Sequence, residues 1–159
     1  HVRTYRDADY LFAINDRRTY GDYIGPWKMM TEKGLPNVGK VTLRRPSGAV
    51  YDLVNHKPVP FSVRDGVTEI PVSYETNDGR LFLAVSRPLG PLALRVQGNE
   101  VTVTSEDRDV MIPIEVRRPG EKPFYGVVKD GVWRHAFPSA ANVTVHSLAT
   151  GETAVRQNP

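Results

Sequence analysis

The run VRDGVTEIPVSYETNDGRLFLAV, residues 63–85, constrains this chain more than any other stretch. Thr68, Ile70, Val72 and Tyr74 alternate with Glu69, Ser73 and Glu75. A period of two places the first set on one face of a strand and the second set on the other. Asp65-Gly66 precedes this strand and Asn77-Asp78-Gly79 follows it. Such residues accept the left-handed backbone that tight hairpins require. Pro71 has no N–H to give a ladder, so the strand is expected to have a free edge there. RLFLAV is apolar almost throughout and suits a central strand.

The same texture recurs along the chain in DYLFAIND, VGKVTLRR, AVYDLV and KPVPFSVR, then in PLALRV, VTVTSE, VMIPIEVRR, GVWRHAF and NVTVHSL. In the third of the latter group Val110, Ile112, Ile114 and Val116 share a face. The reading is all-β, with about thirteen strands, more than one small sandwich holds. The break at Pro88–Pro91 is the natural boundary. Two small antiparallel β-sandwiches of immunoglobulin-like type are expected in tandem, over 1–90 and 91–159.

One segment departs from this pattern. Asp16–Asn37, DRRTYGDYIGPWKMMTEKGLPN, lacks a clean period of two. It reads as a long loop, with a short helix over PWKMMTEKG between Pro26 and Gly34. Tyr20, Tyr23 and Trp27 offer flat apolar faces, and Arg17, Arg18, Asp22 and Lys28 offer hydrogen bonds. Aromatic faces flanked by polar groups are the combination that holds sugar rings. The simpler role for the same aromatics is to close the end of a sandwich or to pack on a neighbouring domain.

Other chemistries find less support. The net charge of +3 is too dilute for a nucleic-acid surface. The chain has no cysteine, which excludes disulfides and thiolate metal sites. No apolar run reaches the length of a membrane span. The four histidines follow no HxH or HExxH spacing, so no zinc site is expected. His1 with a second imidazole, from His56, His135 or His146, would match the copper brace of lytic polysaccharide monooxygenases. That family's aromatic and disulfide context is missing. Asp16 with Asp22, or Asp52 with Glu69, pair on paper as glycosidase carboxylates, but Asp52 more simply caps a turn or meets an arginine. No GxSxG elbow and no glycine-rich phosphate loop occur. No cofactor is expected.

YLFAINDRRTYGDYIG, EKGLPNVGKVTLRRPSGAVYDLVNHKPVPF and VTEIPVSYETNDGRLFLAV together resemble a region of large secreted, glycoside-hydrolase-like proteins of planctomycete-type bacteria. They also resemble the C-terminal β-sandwich that follows the catalytic barrel in many glycosidases. The resemblance spans roughly Tyr10–Val96; residues 97–159 resemble only a generic immunoglobulin-like module. It implies a non-catalytic accessory piece of a larger extracellular or periplasmic protein, with a catalytic or neighbouring domain of the same polypeptide as partner and polysaccharide as the wider context.

Overall fold

The computed structural model describes residues 1–24, 29–140 and 142–157. It is all-β, with 57% strand and no helix among the described residues. Among the described residues there are seventeen strands: β1 Val2–Tyr5, β2 Ala8–Ile14, β3 Arg18–Ile24, β4 Met29–Gly34, β5 Asn37–Leu43, β6 Ala49–Asp52, β7 Lys57–Pro58, β8 Ser62–Arg64, β9 Val67–Tyr74 and β10 Gly79–Val85 before the Pro88–Pro91 break, then β11 Ala93–Gln97, β12 Glu100–Thr104, β13 Ile112–Arg117, β14 Phe124–Val128, β15 Val132–Ala136, β16 Thr144–Ser147 and β17 Val155–Arg156.

Before the break, a five-stranded sheet has the order β1-β2-β10-β6-β7 and a three-stranded sheet the order β5-β9-β8. After it, a four-stranded sheet runs β15-β12-β11-β17 and a three-stranded sheet β14-β13-β16. All named pairings are antiparallel except β11 with β17. No strand pairing among the described residues crosses residues 88–91.

Side chains do cross that line. Leu11, Val50, Phe82 and Ala84 of the five-stranded sheet pack against Leu43, Ile70, Val72 and Tyr74 of the β5-β9-β8 sheet. The alternate residues Ala8, Ala49, Tyr51, Leu83 and Val85 face the other way. They join one cluster with Leu94, Val101, Val103, Ile112, Ile114 and Val145 from the second half. The five-stranded sheet is therefore covered on both faces, which explains why LFLAV, residues 81–85, is continuously apolar.

Local expectations translate into specific geometry. Thr68, Ile70, Val72 and Tyr74 are all buried on β9. Asp65 and Gly66 both have positive φ (50° and 76°) between the paired Arg64 and Val67, the arrangement of a type I′ turn. β8 ends opposite Glu69, so Pro71 has only Lys40 of β5 beside it.

The segment 16–37 needs correction. It is a β-hairpin rather than a long loop with a helix: β3 pairs β4 with Thr19 opposite Lys33 and Tyr20 opposite Glu32, and the register shifts between Tyr20 and Tyr23. Pro26–Lys28 lie outside the described residues, but Met29–Gly34 is strand. A helix this short is marginal alone, whereas the ladder to β3 satisfies the backbone directly.

Candidate functional site

The hairpin is rooted by Asn15, 6% exposed. Its side-chain amide donates to the carbonyls of Leu35 (2.7 Å) and Glu75 (2.9 Å), and its Oδ1 accepts the Arg17 N–H (3.2 Å). Beyond this root the structure gathers Arg18, Thr19, Tyr20 and Glu32 around a shallow hollow of about 370 Å³. Tyr20 is 83% exposed. Arg18 is paired with both Asp16 and Glu32. Arg17 instead turns back towards the root, its guanidinium 3.5 Å from the Pro36 carbonyl. Asp22 is exposed on β3, the backbone of Tyr23 pairs with Met30, and Trp27 lies outside the described residues. Of the residues singled out for sugar binding, Tyr20 and Arg18 line this hollow among the described side chains, and Thr19 and Glu32 complete it.

The other nominees are dispersed. The His1 amine donates to the Phe12 carbonyl at 2.9 Å, with the two rings 6.4 Å apart. Among the described residues no group of three His, Asp or Glu side chains stands where it could hold a metal ion. His135 stacks on Trp133 at 5.9 Å and lies 4.4 Å from the ring of Phe137. Glu69 pairs with Lys40, which holds its carboxyl below the ordinary carboxylate range. Asp52, 3% exposed, caps a turn: it accepts the N–H groups of Val54 (2.8 Å) and Asn55 (3.0 Å), and Arg80 stands 3.8 Å away.

Two arrangements escaped the sequence reading. The first is the seam between the halves. The Tyr10 hydroxyl donates to the Met111 carbonyl at 2.6 Å and accepts the Met111 N–H at 3.0 Å. Burial pushes its phenol up to about 12. The Tyr51 hydroxyl accepts the Leu89 N–H at 2.8 Å. Asp107, 3% exposed, takes the Gly90 N–H (2.8 Å) and pairs with Arg87 (2.6 Å). Partial burial opposes the charge on Asp7, but hydrogen bonds from Ser86 and the Arg45 guanidinium outweigh it and hold that carboxyl below its usual range. At the rim Arg6 reaches Asp109 (3.3 Å) and Asp130 (2.9 Å). A cavity of about 400 Å³ lies along this seam, lined in part by Asp7, Arg87 and Asp107. Those three side chains already have protein partners, so they serve the joint.

The second is a hollow of about 280 Å³ over the outer face of the β14-β13-β16 sheet. The register sets Tyr125, Glu115 and His146 in one cross-strand row. Glu115 is only 7% exposed; its Oε2 accepts from Arg117 Nε at 2.8 Å, and the Tyr125 hydroxyl is 3.4 Å from its Oε1. His146 Nδ1 meets Thr153 Oγ1 at 3.1 Å. The fourth wall comes from the first half. The turn capped by Asp52 carries His56, whose φ is 53°, and the His56 carbonyl lies against Gly151. A Cβ at Gly151 would collide with that oxygen, and Gly151 itself has φ 76°. No contiguous motif announces this hollow, because its parts lie on separate strands and turns. Comparison with known protein families, with curated proteins and with solved structures returned no match.

Proposed function

We propose that this chain is a non-catalytic accessory segment of a larger extracellular or periplasmic polysaccharide-processing protein, holding a neighbouring catalytic domain in a fixed orientation. Its two sheet pairs are read as tandem immunoglobulin-like sandwiches over 1–90 and 91–159. The seven strands β11–β17 in two facing sheets favour that reading for the second half, with β14 beside β13, and β17 parallel beside β11, as departures from the constant-type strand order. The observation that carries the proposal is the cluster shared across residues 88–91, locked by the Tyr10 and Tyr51 hydroxyls. A seam with buried, hydrogen-bonded anchors resists the relative motion expected of loosely joined domains. Several carboxylates, Asp7, Asp9, Asp52 and Asp107 among them, are committed to arginines or backbone N–H groups, as suits a scaffold.

The test is the full reading frame that encodes this segment, expressed with and without it. The remaining polypeptide is expected to lose thermal stability and activity on insoluble polysaccharide when the segment is deleted. Unchanged stability and turnover would refute the role.

A second reading, a carbohydrate-binding module, is favoured by Tyr20 standing exposed beside the Arg18–Glu32 pair. Affinity electrophoresis in polysaccharide gels checks it. Retardation that disappears in Tyr20→Ala supports it; equal mobility of both proteins in every gel removes it.

A further inference from the structure

The hollow formed by Glu115, Arg117, His146 and His56 holds polar groups with hydrogen-bonding capacity left over, and two of them are imidazoles. Arg117 spends Nε and one terminal nitrogen on Glu115, and a guanidinium has five N–H donors. Glu115 Oε1 has only the long contact to Tyr125. Nε2 of His146 and both ring nitrogens of His56 have no hydrogen-bond partner among the described residues. Donors and acceptors thus converge on a space of about 280 Å³, roomy enough for one sugar ring. The Glu115 and Arg117 charges offset each other, so neutral hydroxylated ligands enter without an unpaired charge. A carboxylate accepts from adjacent hydroxyls while guanidinium and imidazole donate to their oxygens. Tyr125, 63% exposed, stands beside Glu115 in the same cross-strand row, outside the lining itself.

We infer that this hollow is a binding site for a neutral pyranose unit, chelated through its hydroxyls by Glu115 and Arg117 and closed by His56 from the first half. The site is independent of the accessory role and lies apart from the hairpin. It is also preorganised. Asp52 fixes the turn that bears His56, and the glycine at 151 lets the two halves approach at that point.

The experiment is a titration of the whole chain with glucose, galactose, mannose and xylose in turn, followed by amide NMR. At least one sugar is expected to shift the signals of His56, Glu115, His146 and Gly151 together. Glu115→Gln removes a charge-assisted acceptor and should weaken binding about tenfold. His146→Ala, a second variant with a different structural risk, should weaken it as well. Tyr20→Ala should leave it unchanged. The inference fails if no sugar shifts these signals, if the shifts fall on the β3–β4 hairpin alone, or if a folded Glu115→Gln binds as the parent does.

Discussion

β3 and β10 are both seven residues long, and they live opposite lives. β10 has β2 on one edge, β6 on the other, and packed side chains above and below. β3 has β4 alone. The residues follow from the coverage. β10 runs Leu81 to Val85 without a polar side chain, because both of its faces meet protein. β3 carries Arg18, Tyr20 and Asp22, with Gly21 at the shift in register. A two-stranded ribbon is marginal by itself, so this one borrows its stability from Asn15 at the root. Coverage, more than length, decides what a strand is made of.

That contrast can be broken in order of expected effect. Leu83→Ala removes a fully buried side chain from the cluster common to both halves, and should cost about 2–5 kcal/mol in denaturant unfolding. Amide signals from both halves should be lost at one lowered midpoint; a second half that keeps its original midpoint would show that the cores are separable. Tyr10→Phe strands the N–H and carbonyl of Met111, and should cost about 1–3 kcal/mol. It also carries a pH signature. The folded-state phenol titrates near 12, above the ordinary tyrosine value of about 10. The stability it contributes is therefore complete below about pH 10 and is lost as pH rises from there through the folded value. That alkaline loss should shrink in the phenylalanine variant.

Asn15→Ala acts on the other member of the comparison. It should speed hydrogen exchange of the β3 and β4 amides while β10 keeps its protection; equal acceleration in β10 would mean the hairpin is part of the core after all. Tyr20→Ala, on an exposed ring, should change global stability by no more than about 0.5 kcal/mol, measured in the same denaturant series.

What was legible in the sequence was whatever a strand and its turn decide locally. The alternation in Thr68–Tyr74, the buried row Val110, Ile112, Ile114 and Val116, and the Asp65-Gly66 turn all depend on neighbours in sequence. Asp52 as a cap was legible for the same reason, since its partners are two and three residues on. The hairpin was obscured because Gly21, Gly25 and Pro26 interrupt its period. Short strands such as Lys57–Pro58 and Val155–Arg156 are too brief to carry a pattern. Nothing adjacent in the sequence marks Asn15, Asp9 and Asp107 as buried. Their burial depends on distant segments: Asn15 meets Glu75, Asp9 meets Arg45, and Asp107 meets Arg87. The outer-face hollow was hidden by the same distance, since His56 reaches it from the opposite half.

The glycine at 126 leaves bare backbone where the indole of Trp133 lies, and a Cβ there would strike its ring nitrogen. Phe124 and His135 flank the same indole. The chain has two tryptophans, so replacing Trp27 leaves a single indole, half-buried between the edge strands of the two later sheets. Its fluorescence would then act as a built-in gauge of whether those sheets are closed, with no label attached.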